Sequence, residues 1–225
     1  MKYYPIFLDV QDKTCLVVGG GKVGTRKALG LAKANARVRV VSPGFSPELE
    51  NNTHPNICLD NKTFDASDLQ GACLVFAATD SSALNAQIRD AARRAGILCN
   101  IADGDDKGDF ILPSVVSRED LILAVSTCGS SPAMAKRLRR ELEAKFGPEY
   151  GTALTLMANI RTKLLARGHD PEGHKKVFTA LVASGLPELI AAGDQSRIDA
   201  VLAEVLGSGF TFDGLVGQPP ATGLD

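Results

Sequence analysis

The residues best placed for chemistry form a glycine-rich loop between an apolar run and a segment with helical periodicity. The loop Gly19-x-Gly21-x-x-Gly24 directly follows the apolar run 14–18, and a helix is predicted from about Val23 to Ala34. In this context the glycines allow a tight turn and close approach of the backbone to a pyrophosphate, and the helix N-terminus offers N–H donors to phosphates. The pattern predicts a dinucleotide site. The alternative is a glycine-rich turn that holds no nucleotide.

The end of the second predicted strand lacks the acidic residue that usually binds the ribose hydroxyls. This strand is predicted to run from Arg37 to Ser42 and to be broken by Pro43 and Gly44. Ser42 or backbone groups would therefore contact the ribose. No arginine directly follows the strand to bind a 2′-phosphate, and charge alone does not decide whether the cofactor is NAD or NADP.

Three carboxylates follow the apolar run 97–101, which is predicted to be another strand. They are Asp103, Asp105 and Asp106. A carboxylate at the carboxyl end of a parallel strand can accept a proton from a substrate, so Asp103 is a candidate general base. The alternative is that all three residues only shape a polar turn, which Asp and Gly favour.

A basic helix is predicted after residue 131, with Ser131 as its N-cap and Pro132 as its first residue. Residues 132–167 contain eight Lys or Arg and three Asp or Glu, a positive excess that would attract a polyanionic substrate. For any single residue, the alternative is a solvated helix face. The candidates are Lys136, Arg137, Arg139 and Arg140, together with the backbone N–H groups of Ser130 and Ser131.

Composition excludes several other classes of protein. The net charge of −1 gives no general attraction to nucleic acid or to an anionic membrane, and no uncharged run reaches the roughly 18 residues of a membrane span. The N-terminal residues do not have the pattern of a signal peptide. Five cysteines without a C-x-x-C pair argue against a disulfide framework and a structural zinc site, and the three histidines lie outside the motifs. We expect a cytoplasmic protein without a bound metal, in which Cys15, Cys73 and Cys99 are buried, inert thiols.

Several motifs between residue 4 and about residue 146 resemble those of the precorrin-2 dehydrogenase / sirohaem synthase N-terminal module family and occur in the same order. They are residues 4–8, 17–27, 77–80 with Asn85, 99–103, 109–114, and Ser131-Pro132 with residues 137–139. The resemblance implies oxidation of precorrin-2 to sirohydrochlorin with NAD, and it implies that Asp103 is the catalytic aspartate. Thr127 and Cys128 depart from the family, which often has Ser and Gly at these positions.

The expected fold is α/β, with a Rossmann-type parallel sheet followed by a small dimerisation segment and a C-terminal helical domain. The expected boundaries are 1–113 for the NAD-binding domain, 114–147 for the dimerisation segment and 148–212 for the helical domain, with a flexible tail over 213–225. The dimerisation segment would contain two strands, 114–117 and 121–126. Cofactor contacts are expected from Gly19, Gly21, Lys22, Val23, Gly24, Ser42, Pro43, Gly44, Ala78, Thr79 and Ile101.

The expected function is NAD-dependent dehydrogenation of precorrin-2 in sirohaem or related tetrapyrrole biosynthesis, by a homodimer that binds neither nucleic acid nor membrane. One alternative is a bifunctional enzyme that also inserts iron into sirohydrochlorin. The other is a non-catalytic, dimeric NAD-sensing module, which would need neither Asp103 nor the basic helix.

Overall fold

The chain folds into two compact units, which divide after Leu112. The computed structural model describes residues 2–102, 108–168 and 170–217. The first unit has the expected α/β architecture, and the second consists of a β-hairpin followed by helices.

The first unit contains a five-stranded parallel sheet in the order β3-β2-β1-β4-β5. Its central strand is apolar on both faces because helices cover both sides, and residues 15–18 are at most 2% exposed. The strand order reverses between β1 and β4, and ligands of such sheets bind at the carboxyl ends of the strands beside this point. The strands are β1 (Thr14–Gly20), β2 (Arg37–Phe45), β3 (Ile57–Asn61), β4 (Ala72–Ala77) and β5 (Leu98–Ile101).

Helix α1 (Lys22–Lys33) packs against the sheet through a face of small residues. Thr25, Ala28 and Ala32 on this face are buried, so the helix axis can lie close to the strands. The chain leaves the helix at Asn35, which has a φ of 57° and so takes the left-handed conformation common after a helix. The other helices of this unit are α2 (Pro47–Glu50) and α3 (Ser82–Arg94), with a 3₁₀ turn over Ala66–Leu69.

The expected end of β2 at Ser42 is wrong, because the strand continues through Pro43 and Gly44 to Phe45. Val18 pairs with Val41, but Gly20 pairs with Phe45, so the register shifts between them. At such an irregularity the missing N–H of a proline breaks no regular ladder of hydrogen bonds.

The second unit begins with an antiparallel hairpin of β6 (Ser114–Arg118) and β7 (Leu121–Val125), followed by α4 (Pro132–Lys145). The Arg118 guanidinium donates to the carbonyl oxygens of Phe146, at 3.0 Å, and Glu143, at 3.2 Å. These carbonyls at the end of α4 have no partner within the helix, so Arg118 fixes the hairpin to the helix terminus.

In the described part of the second unit, five further helices form a bundle with its own apolar core, which includes Leu156, Ile160, Leu181 and Leu202, each fully buried. They are α5 (Glu149–Arg167), α6 (Pro171–Ala183), α7 (Leu186–Ala192), α8 (Gln195–Leu206) and α9 (Phe212–Val216). No helix in the described part of the chain is both long enough and apolar enough to span a membrane.

The expectation of a flexible tail from residue 213 is wrong for its first residues. Residues 213–216 belong to α9, and Leu215 is 2% exposed in the core of the bundle. The buried Asn159 side chain donates through Nδ2 to the Leu215 carbonyl at 2.7 Å, which anchors this last turn. Residues 218–225 lie outside the described part of the chain.

Candidate functional site

The glycine loop lies at the carboxyl end of β1, where backbone segments cross closely. Gly19 has a φ of 116°, and a Cβ at this position would overlap the Ala78 carbonyl. A Cβ at Gly24 would overlap the carbonyl of Gly19, and one at Gly20 would overlap that of Gly44. These three glycines are therefore required by the packing of the chain on itself.

Gly21 differs from the other loop glycines because a Cβ there would meet no atom of the described residues within 4 Å. It is the N-cap of α1, no side chain caps the helix, and its first turn contains no acidic residue. N–H donors at a helix N-terminus facing open space suit the phosphates of a dinucleotide. Lys22 and Val23 are exposed in the same turn, beside these donors.

Thr25 holds the start of α1 in place, a role that the sequence alone does not reveal. Its side chain is 1% exposed, and its Oγ1 donates to the Gly21 carbonyl at 2.9 Å. The same oxygen shares a hydrogen bond of 2.8 Å with Ser46 Oγ, directly after β2. The position of the candidate phosphate donors thus depends on a contact between residues 21 apart in sequence, which no local pattern reveals.

Asn85 fixes the loop after β4, where cofactor contacts from Ala78 and Thr79 are expected. Asn85 is 3% exposed, and its Oδ1 accepts from the Thr79 amide at 3.1 Å and the Thr79 hydroxyl at 2.7 Å. Its Nδ2 donates to the Thr79 carbonyl at 3.0 Å. Three hydrogen bonds from one buried side chain make this loop rigid beside Gly19. The sequence identifies Asn85 only as one of the residues that carry the family resemblance.

The candidate ribose residues lie at the end of β2. Ser42 is 8% exposed, and its Oγ accepts weakly from the Gly44 amide at 3.5 Å. Pro43 and Gly44 are exposed, and a Cβ at Gly44 would meet nothing within 4 Å in the described part of the chain. The accessible groups at this strand end are therefore those of Pro43 and Gly44, whereas the Ser42 side chain is mostly enclosed.

Hydrogen bonds at the carboxyl end of β5 fix the chain before and after the candidate base, Asp103. Ile101 is 5% exposed, and the Ala102 amide donates to the Ala77 carbonyl at 2.9 Å. The buried Asn100 side chain donates through Nδ2 to the Phe110 carbonyl at 2.7 Å. Asp103, with its neighbours Asp105 and Asp106, lies outside the described residues. Asp103 as a base therefore stays a prediction.

A half-buried lysine lies on α1, one turn beyond the glycine loop. The Lys27 ammonium is 5.7 Å from the centroid of the Phe76 ring, which packs edge-on against Phe110. Burial, with a smaller effect of Arg26, lowers the pKa of Lys27 to about 8. The aromatic face offsets part of the cost of enclosing this charge.

The basic residues of α4 fall into two groups in the second unit. Arg137 pairs with Glu141 at 2.8 Å and Arg139 with Glu143 at 2.6 Å, four residues on in each case. Lys136 and Arg140 are exposed and form no ion pair with any described residue. Lys145, at the end of the helix, is likewise exposed and unpaired among the described residues, so three residues of α4 present an uncompensated positive charge.

The loop before α4 is hydrogen-bonded within itself. As predicted, Ser131 caps the helix, and its Oγ accepts from the Met134 amide at 3.2 Å. The Ser130 amide donates to the Thr127 carbonyl at 2.9 Å and the Ser131 amide to Thr127 Oγ1 at 3.1 Å. Both N–H groups are therefore engaged within the loop, and their expected contact with a substrate carboxylate stays a prediction. Among the described residues, no cluster of His, Cys, Asp and Glu could hold a metal ion.

Comparisons with known proteins agree with this architecture. Residues 6–114 match a family described as putative NAD(P)-binding, and residues 118–145 match the central region of sirohaem biosynthesis proteins. The siroheme synthase of Nitrosomonas eutropha is 36% identical over 223 residues, which cover 98% of this chain and 45% of that protein. The siroheme synthase of Methylococcus capsulatus is 36% identical over 205 residues, or 91% of this chain and 43% of that protein. The chain thus spans less than half the length of these relatives.

A solved structure of SirC, precorrin-2 dehydrogenase, has the same fold. The two structures superpose with a TM-score of 0.68 at 25% sequence identity, over 90% of this chain and 98% of SirC. The first unit is therefore an NAD(P)-binding domain, and the chain belongs to the precorrin-2 dehydrogenase / sirohaem synthase N-terminal module family.

Proposed function

We propose that this chain catalyses the NAD-dependent dehydrogenation of precorrin-2 to sirohydrochlorin in the biosynthesis of sirohaem. The observation that carries the proposal is the open helix N-terminus at Gly21, in a chain that matches nearly the whole of a precorrin-2 dehydrogenase. The siroheme synthases among the relatives support the same pathway. Dependence on NAD favours a cytoplasmic location.

The glycine loop would hold the cofactor through its backbone. The N–H groups from Gly21 to Gly24 would bind the phosphates, while Pro43 and Gly44 would contact the ribose. Ala78 and Thr79, fixed by Asn85, and Ile101 would border the site at the neighbouring strand ends. Bound NAD⁺ supplies the hydride acceptor.

Asp103 would accept the proton that the substrate loses with the hydride. The support is its place directly after β5 and its match to the catalytic aspartate implied by the family. A carboxylate there would take up the proton and release it to solvent, so that the substrate loses two electrons and two protons in all.

Lys136 and Arg140 would bind the carboxylates of the tetrapyrrole. Both are exposed and unpaired among the described residues, so their charge is available to a polyanion. Arg137 and Arg139 are largely neutralised by their glutamate partners and would add less. The N–H groups of Ser130 and Ser131 would exchange their bonds to Thr127 for a substrate carboxylate.

A second copy of this chain would cover an apolar surface of the second unit. Val115 and Ile122, 44% and 47% exposed, lie on one face of the hairpin, because Val115 pairs with Ala124 and Ser117 with Ile122. Met134 and Leu138 of α4 are 48% and 38% exposed. These side chains, together with the hairpin's open edges, support residues 114–147 as the dimerisation segment.

The function is tested by mixing purified protein with precorrin-2 and NAD⁺ and following the absorbance of NADH and of sirohydrochlorin. We expect oxidation by the wild-type chain, and in Asp103→Ala loss of oxidation with unchanged NAD⁺ affinity by calorimetry. Absence of oxidation by the folded wild-type protein would refute the enzymatic function. An undiminished rate in Asp103→Ala would remove Asp103 as the base while leaving the enzyme. Subsequent addition of Fe²⁺ reveals any iron insertion.

A further inference from the structure

Two of the five cysteines lie side by side in the central sheet. The sulfur atoms of Cys15 and Cys73 are 3.8 Å apart, although the residues are 58 positions apart in sequence. Cys15 is the second residue of β1 and is fully buried, whereas Cys73 is the second residue of β4 and is half-buried. The sequence predicts that each is a buried, inert thiol, but the pairing of β1 with β4 brings the two together.

The backbone at this point is suited to a covalent link. Neighbouring strands are about 4.8 Å apart, and the Cα atoms of disulfide-bonded cysteines are usually about 4.4–6.8 Å apart. Thr14 pairs with Ala72 but Cys15 pairs with Leu74, so Cys73 lies at an irregularity of the ladder, where the backbone can adjust. The sulfurs would have to approach from 3.8 Å to about 2.05 Å, a movement that side-chain rotation can supply.

We propose that Cys15 and Cys73 form a redox modification site, which a hydroperoxide such as H₂O₂ converts to a disulfide and a dithiol restores. In the first step the Cys73 sulfur attacks the peroxide, gives a sulfenic acid and releases water. In the second step the Cys15 sulfur displaces the sulfenic oxygen as a second water and the S–S bond forms. The two thiols lose two electrons and two protons, and one peroxide becomes two waters.

The environment of the two thiols sets the order of the steps. Burial, with a further effect of neighbouring Cys73, raises the pKa of Cys15 to about 12, so Cys15 stays protonated in the resting protein. Oxidation therefore begins at Cys73, which solvent reaches. Conversion of Cys73 to a sulfenic acid makes its sulfur the electrophile that the neighbouring Cys15 sulfur attacks.

The cross-link would lie at the amino ends of β1 and β4, whereas the candidate cofactor residues lie at the carboxyl ends of the same strands. It would join two strands that are already hydrogen-bonded neighbours and close a loop of 58 residues in the unfolded chain. We therefore expect the oxidised protein to keep its NAD⁺ affinity and to unfold at a higher temperature, by several degrees.

The test uses the full chain with the exposed cysteines changed, Cys58→Ser and Cys128→Ser, which leaves Cys15, Cys73 and Cys99. After brief treatment with H₂O₂, the protein is denatured, its thiols are alkylated, and intact mass and peptide maps are recorded. We expect two alkylation sites to be lost, a peptide pair linked through Cys15 and Cys73, and complete reversal by dithiothreitol.

Two further variants in the same background make the outcome specific. Cys99→Ala, the matched change of another buried cysteine, should still form the link. Cys15→Ala should form none, and its Cys73 sulfenic acid should react with dimedone. Retention of all three thiols in folded protein, a disulfide that maps to Cys99, or oxidation of Cys73 to sulfinic acid without a link would each refute the proposal. If Cys15→Ala does not fold, the peptide map of the parent protein decides.

Discussion

At the scale of single residues, the glycine loop contains two kinds of glycine. Gly19, Gly20 and Gly24 lie where backbone segments cross, so any side chain there would collide with a carbonyl of the same chain. Gly21 instead borders open space at the start of α1. The first group is required by the fold, whereas a side chain at Gly21 would extend into the space in front of the helix N-terminus.

Substitutions should separate these two roles. We expect Gly21→Val to lower NAD⁺ affinity at least tenfold with little change in melting temperature, because the added side chain fills the space in front of the helix N-terminus. Gly24→Ala should destabilise the protein by about 2 kcal/mol or more, because it pushes α1 away from Gly19. For both variants, calorimetric titration measures the NAD⁺ affinity and thermal unfolding measures the stability. Equal NAD⁺ affinity in Gly21→Val and the wild type would contradict the proposed phosphate site.

At the scale of elements, the positions of the strands can be predicted from the sequence wherever the strands are uniformly apolar. The central run before the glycine loop and the helix cap at Ser131 were predictable because the determining residues are neighbours in the chain. The extension of β2 past Pro43 was not, because pairing with Gly20 overrides the local preference of a proline. The roles of Thr25 and Asn85 likewise depend on partners that only the folded chain supplies.

The packing of α1 on the sheet predicts a dependence of stability on pH. Burial lowers the pKa of Lys27 to about 8 from its usual 10.5, so between these values the folded state binds fewer protons than the unfolded chain. The free energy of unfolding should therefore gain a contribution that rises with pH from about 8 to 10.5.

Lys27→Met should abolish this rise and stabilise the protein at pH 7 by roughly 1–3 kcal/mol. Urea denaturation of the wild type and the variant at a series of pH values gives the comparison. Lys33→Met, which removes an exposed charge from the same helix, is the matched control and should retain the rise. If the free energy of unfolding depends on pH in the same way in the wild type and in Lys27→Met, Lys27 is not the group responsible for the rise.

At the scale of the whole molecule, the two units divide the proposed tasks. The candidate cofactor residues all lie in the first unit, whereas the basic residues of α4 and the exposed apolar face of the hairpin lie in the second. The chain also spans less than half the length of the siroheme synthases that it resembles. SirC, in contrast, is matched over 98% of its own length.

The proposed dimer should depend on the hairpin face. We expect Ile122→Lys to convert a dimer to a monomer, because it would place an unpaired charge inside an apolar contact. Sedimentation velocity over a range of protein concentrations measures the change. Val182→Lys, on an α6 side chain that is 70% exposed, is the control and should leave the dimer intact. A wild-type chain that stays monomeric at all concentrations would exclude the dimer.

The close approach of the backbone at Gly24 to the Gly19 carbonyl also determines what a saturation-mutagenesis library of this loop would reveal. Selection for folding alone would already restrict positions 19, 20 and 24 to glycine, so intolerance at these positions carries no information about nucleotides. Position 21 would accept many residues under selection for folding and few under selection for activity. The difference between the two selections at this one position would therefore report the ligand, separately from the architecture that surrounds it.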